Sequence, residues 1–181
     1  MNWATIEAAI AAWIGAATGA TVQWSNQHLP EPVRPYVKLK RISIVSHGMD
    51  EQRSSVDLER VGEEVELQAV ARREFTVSCH VYAMPAVGAA TAADLMERAK
   101  IALSLESTID AFTAAGISVV ESGNIGDLSE SGDNSWSSRA QMDVRFHATA
   151  TASERTTYIE KVELVDERAG EKWIVPGDGA A

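Results

Sequence analysis

Hydrophobic residues recur along this chain in two rhythms, and the switches between them outline its elements. Near the start, Ile6, Ile10, Trp13, Ile14 and Ala17 return every three or four positions, the spacing of one helix face, with Glu7 on another. Gly19 supplies a helix stop, because glycine takes the left-handed cap conformation without steric cost. Thr21–Trp24 reads as a short strand. Tyr36–Val45 reads as a longer one, in which the apolar positions change parity from Val37 and Leu39 to Ile42 and Ile44. That change predicts a β-bulge near Lys40 and Arg41.

Two stretches alternate cleanly. In "REFTVSCHVYA", Phe75, Val77, Cys79 and Val81 share one face, and Thr76, Ser78, His80 and Tyr82 the other. In "RAQMDVRFHAT", Ala140, Met142, Val144, Phe146 and Ala148 alternate with Arg139, Gln141, Asp143, Arg145 and His147. A period of two predicts strands with one face on a core and one in water. Between them lies a helical block. Thr91 with Asp94 fits a capping box ahead of the stripe Leu95, Met96, Ala99 and Leu103. Ser107 with Asp110 repeats the cap pattern ahead of a second helix carrying Ile109 and Phe112, and Gly116 ends it. "ISVVE" reads as a brief strand, residues 122–135 as an acidic Gly/Ser-rich loop, and "YIEKVELVDE" as the last strand.

Helix, strands, helices and strands in this order imply an α+β fold: a mainly antiparallel mixed sheet with helices packed on one face. Residues 1–167 read as one such domain, with a charged excursion at about 47–70 that is a loop or part of a hairpin. Residues 168–181 read as a C-terminal tail whose only large apolar group is "WIV".

Three of the five prolines fall in one connector, at Pro30, Pro32 and Pro35. Each fixes its own φ and pushes the residue before it toward extended geometry, so Trp24–Tyr36 is stiff and non-helical.

Composition narrows the partners. Acids outnumber bases 26 to 16, giving a net charge of −10 and a pI near 4.8. Sequence-specific nucleic-acid binding needs cations to neutralise phosphates, so it is not expected. Lys38, Lys40 and Arg41 form the best local basic patch, read as a solvated strand face. The apolar start carries Glu7 and no preceding cation, which fits neither a secretory signal nor a membrane span.

No catalytic signature is present. A phosphate loop, a nucleophile elbow and histidines at metal-ligand spacing are all missing. His28, His47, His80 and His147 are scattered. His80 and His147 share the wet side of the sheet with Asp143 but lack a third metal ligand, and a small hydrolase or ligand-binding site there is the rival of another class. Cys79, the single cysteine, excludes an internal disulfide and falls on a core face, so it reads as an inert thiol. "DLSESGDNSWSS", Asp127–Ser138, has a calcium-loop beginning, but Ser138 stands where a bidentate glutamate is needed. No cofactor or metal is expected. Trp3 and Trp13 are assigned to packing of the first helix. Trp24, Trp136 and Trp173 sit beside loops or tails, where aromatics serve contacts between chains.

Three segments together resemble the neck or tail-terminator proteins of tailed bacteriophages. They are Trp24-x-x-Gln27-x-x-Pro30-x-Pro32-x-x-Pro35-Tyr36 running into a strand, "FTVSCHVYA" followed by the helix with Leu95 and Leu103, and "WSSRAQMDVRFHATA" leading to "YIEKVELVD". They span about residues 5–166, and His47–Val70 departs from the pattern by its length and charge. The resemblance implies a structural virion protein without enzymatic activity. It would form a homo-oligomeric ring, hexameric in such proteins, that caps the tail tube, ends its polymerisation and joins the tail to the head connector. DNA would pass through the hole, no membrane would be involved, and the particle would be assembled in the host cytoplasm. On this reading Trp24, Gln27, Pro30, Pro32, Arg34, Pro35, Tyr36, Trp136 and Trp173 are candidate contacts to subunits or tube, and Glu121, Asp127, Glu130 and Asp133 candidate lumen acids. Another tail or head-completion component, such as a tube or adaptor protein, is the alternative within the particle.

Overall fold

The computed structural model describes residues 1–27, 29–46, 48–56, 64–84, 88–131, 136–157, 161–166 and 171–176. They divide into two units: Met1–Met49 with Arg72–Ala150, and Asp50–Ala71 with Thr151–Ala181.

The first unit opens with α1 (Trp3–Thr18), started by Asn2, whose side-chain oxygen accepts from Ala4 N at 3.1 Å and Thr5 N at 3.5 Å. Gly19 closes it at φ 67°, the left-handed cap expected from the sequence. Its buried face is Ile6, Ile10, Trp13, Ile14 and Thr18. Strand β1 (Thr21–Trp24) pairs in parallel with the first four residues of β2 (Tyr36–Ser46). Strand β2 runs antiparallel to β4 (Glu64–Ala83), and the register shifts between Arg41 and Ser43. The bulge is therefore where the parity change placed it, with Ile42 as the extra residue.

Helices α2 (Ala92–Ala102) and α3 (Glu106–Ala114) follow. The Thr91/Asp94 capping box is formed. The second cap is not: α3 starts one residue before Ser107, from a tight turn in which Leu103, Ser104 and Leu105 donate to Lys100, Ile101 and Ala102. Strand β5 (Ile117–Ser122) and the two-residue strands β6 (Gly126–Asp127) and β7 (Glu130–Ser131) all pair with β8 (Trp136–Thr157). The segment expected to be all loop thus gives two short edges to the sheet. The sheet order is β1-β2-β4-β8-β5.

The core lies between the helices and one face of this sheet. Phe75, Val77, Cys79, Val81, Ala140, Met142, Val144, Phe146 and Ala148 are all at most 1% exposed and cluster with Ile6, Ile10, Met96 and Phe112. A relay of rings runs Trp3–Phe75 (5.1 Å), Phe75–Phe146 (5.4 Å), Phe146–Phe112 (5.6 Å) and Phe112–Trp13 (6.0 Å), beginning and ending on α1. Trp13 also donates its indole N–H to Ala99 O at 3.1 Å, tying α1 to α2.

In the second unit, β3 (Glu51–Val56) pairs antiparallel with Val65–Val70 of β4, so the charged excursion contains a hairpin strand. Strands β9 (Lys161–Asp166) and β10 (Glu171–Pro176) form an antiparallel pair. The stretch read as a tail therefore contributes a strand, and its "WIV" residues stand in register with Leu164, Glu163 and Val162. Those residues are rich in the β-branched and aromatic types that favour a pleated strand.

Candidate functional site

The proline connector is held at both ends by buried aromatics. Trp24 is 7% exposed and donates its indole N–H to Glu7 O at 3.3 Å, while Tyr36 is 1% exposed and stacks on Tyr82 at 4.6 Å. The Tyr36 hydroxyl donates to Glu31 at 2.6 Å, and Gln23 donates to Leu29 O at 3.2 Å. Burial first, and then the bond to Glu31, push the Tyr36 phenol well above its usual range, so it stays a donor. Among the sequence candidates, Gln27, Pro30 and Pro35 are exposed and Pro32 and Arg34 are half-buried. Trp24 and Tyr36 anchor the segment from inside. The Arg34–Pro35 peptide is cis. The side chains of Trp136 and Trp173 lie outside the described residues.

The sheet face opposite the helices carries a polar network. Arg139 donates to His80 Nδ1 at 3.3 Å and lies over the Tyr82 ring. His80 Nε2 meets Ser78 Oγ at 3.2 Å, and Gln141 donates to the same oxygen at 3.1 Å and to Asp143 at 3.4 Å. Desolvation holds the His80 pKa below its ordinary value, helped by Arg139, Lys40 and Lys38 and opposed by Asp143. A neutral imidazole accepting at Nδ1 must carry its proton on Nε2, so that nitrogen donates to Ser78. Every polar atom of His80 is thus spent on its neighbours, and His147, on the same side of β8, is not part of the network. No group of three or more histidine, cysteine or carboxylate side chains suited to a metal occurs among the described residues. His28 and His47 lie outside them.

Cys79 is buried, and desolvation, followed by the charge of Asp143, pushes its thiol far above the usual range. It has no thiolate to offer chemistry. Among the acids, Glu121 meets Arg145 at 2.6 Å, and Arg145 also reaches Glu74 at 3.7 Å. Asp127 accepts from Ser129 through both its N–H and its hydroxyl, bonds that hold its pKa below the ordinary value. Glu130 is exposed, and Asp133 lies outside the described residues. The structure therefore leaves Glu130 to the solvent and engages Glu121 and Asp127 locally.

Sequence periodicity missed one surface. Ile101, Leu105 and Ile109 recur at spacing four on the outside of α2 and α3 and are 61%, 52% and 51% exposed. Of the three, Ile109 lines a groove of about 430 Å³ together with Phe112, Thr113, Ile117 and Val119. The signal was available: helical apolar residues here occupy two faces, and one sheet can cover only one. Strand β2 is similarly apolar beyond its bulge, with Ile42, Ile44 and Val45 at 49%, 50% and 48% exposed. Exposed apolar groups in such runs mark contact surfaces more often than isolated ones do.

No helix among the described residues is long and apolar enough to cross a membrane. A family model described as phage neck terminator protein matches residues 4–171. No curated protein matches the chain.

Proposed function

The chain belongs to the phage neck terminator protein family, a structural family of the phage neck, and from that premise we propose that it forms a closed ring on the head-proximal end of the tail tube. The ring ends tube polymerisation, offers the head connector a docking surface, and lets DNA through its hole. It acts by shape, without covalent chemistry, and joins the particle during assembly in the host cytoplasm. The family match over residues 4–171 carries this reading.

The connector supports it. A subunit joint gains affinity when its segments are ordered before they meet, because less conformational entropy is lost on assembly. Residues 29–35 are stiffened by three prolines and bonded to the core at both ends, through Gln23–Leu29 and Tyr36–Glu31. They meet that requirement as a rigid contact to a neighbouring subunit or the tube. Of the acids proposed to face the passage, Glu130 fits best, because Glu121 already pairs with Arg145.

The test is to remove the chain from particle production and measure tails by electron microscopy. Overlong tails without heads are expected. Tails of normal length joined to heads overturn the proposal, and purified chain that stacks into unlimited filaments instead of a closed ring identifies a tube subunit.

A further inference from the structure

The Tyr36 end of the proline connector rests on a stack that crosses three strands. Tyr36 on β2, Tyr82 on β4 and Arg139 on β8 lie on successive strands of the sheet order, with Tyr36 in register with Tyr82. The two rings stack at 4.6 Å and 17°, and the Arg139 guanidinium lies 5.3 Å from the Tyr82 centroid. Tyr36 in turn donates to Glu31, between Pro30 and Pro32. The cation at the far end of the stack is thinly held. Its bond to His80 Nδ1 at 3.3 Å is the one hydrogen bond of the Arg139 side chain among the described residues, and its buried Nε has no partner.

That bond depends on the charge of His80. Arginine can only donate, so Nδ1 must be the unprotonated nitrogen. A proton there turns the acceptor into a donor and sets an imidazolium against a guanidinium. The other charges that act on His80 add to the conflict: Lys38 and Lys40 on β2 are cations like Arg139, and Asp143 on β8 is the one carboxylate. Ser78 beside it on β4 and Gln141 on β8 are neutral. Once charged, the ring still donates to Ser78 through Nε2 and is drawn toward Asp143, so Arg139 is the group that yields.

We propose that His80 and Arg139 form a proton-operated latch on the proline connector: neutral His80 holds Arg139 over Tyr82, and a single proton on Nδ1 releases it and loosens the Tyr36 end of the connector. While His80 is neutral the stack is complete and residues 29–35 are stiff. As pH falls, one face of Tyr82 is bared and the Tyr36–Glu31 anchor gains freedom. Losing one cation–π contact shifts the balance between held and loosened connector about two- to five-fold. The latch belongs to the single chain and does not rest on the ring reading.

A nitroxide label on Val33→Cys reads the latch in the full chain, because Val33 is 88% exposed within the connector and Cys79 is buried away from the reagent. The mobile component of the spin-label spectrum is expected to rise about two- to five-fold as pH falls from 7.5 to 5.0. Circular dichroism should show an unchanged fold across this range. Adding His80→Gln, whose amide accepts from Arg139 and donates to Ser78 at either pH, should abolish the rise, although His28, His47 and His147 remain. Adding Arg139→Gln should loosen the label already at pH 7.5 and leave no further response to acid. A labelled chain whose spectrum is the same at both pH values, or one that loosens equally with His80→Gln, overturns the latch. So does an Arg139→Gln connector as rigid at pH 7.5 as that of the labelled parent, since the stack would then hold without its cation.

Discussion

Replacing Tyr36 with phenylalanine should release the proline connector from its inner end at little cost elsewhere. The hydroxyl donates to Glu31 at 2.6 Å, and phenylalanine keeps the ring stacked on Tyr82 at 4.6 Å without opening a cavity. A hydrogen bond to a charged group contributes roughly 1.5–3 kcal/mol net. Glu31 is exposed and regains water when its partner goes, so the lower end applies, about 1.5 kcal/mol. For a chain of this size that lowers Tm by about 3–6 °C. Urea titrations of Tyr36→Phe, Glu31→Gln and the double variant at pH 7.5 form a cycle, with an expected coupling of about 1 kcal/mol. Additive single effects, or a Tyr36→Phe chain within about 0.3 kcal/mol of the parent, would refute the idea that this bond fixes the connector.

Three further outcomes follow from the core and the caps. Phe146→Ala removes the ring that touches both Phe75 and Phe112 and should cost about 3–5 kcal/mol in urea unfolding; a loss below about 1 kcal/mol would show that the relay is not held as described. Thr91→Ala breaks the α2 capping box and should cost about 1 kcal/mol at neutral pH. Thr91 holds the Asp94 pKa below 3.8, so that carboxylate stabilises the fold above this value and less so as pH falls through its lowered pKa; the variant should flatten the acid limb there. The His80 pKa is lowered from 6.5, so below about that pH the unfolded chain binds a proton that the folded chain refuses, and stability falls. Lys38 and Lys40 on β2 and Arg139 on β8 oppose that proton, Asp143 favours it, and Ser78 beside it on β4 is neutral. His80→Gln should remove this part of the loss between pH 7.5 and 5.5, and an unchanged slope would count against the neutral imidazole.

Side-chain alternation made the two long strands legible, because burial on one face writes a period of two directly into residue type. Ala140 to Ala148 and Phe75 to Val81 are buried at every second position as their pattern implies. The bulge was legible for the same reason: inserting Ile42 flips the faces after it, and the parity of Val37, Leu39 and Ile44 records the flip. The α3 cap misled, because Ser107 and Asp110 have the right spacing while the backbone turn at Leu103–Leu105 had already started the helix. Trp24 beside a loop gave no sign of being buried, since a residue next to an irregular segment can face either way. Its bond to Glu7 O joins β1 to α1, and a contact between separate elements leaves no local periodicity. The exposed Ile101, Leu105 and Ile109 were masked by the stripe beside them, which accounts for α2 without them.

The ring relay also sets an order of events at the ribosome. Its two ends, Trp3 and Trp13, are made well before the groups they rest on, Phe75 for Trp3 and Ala99 and Phe112 for Trp13. At synthesis rates of roughly 5–20 residues per second, α1 waits on the order of ten seconds for its cover. Through that interval the nascent chain carries an amphipathic helix with its greasy side bare, a natural handhold for a chaperone and the moment at which this polypeptide is most prone to stick to its neighbours.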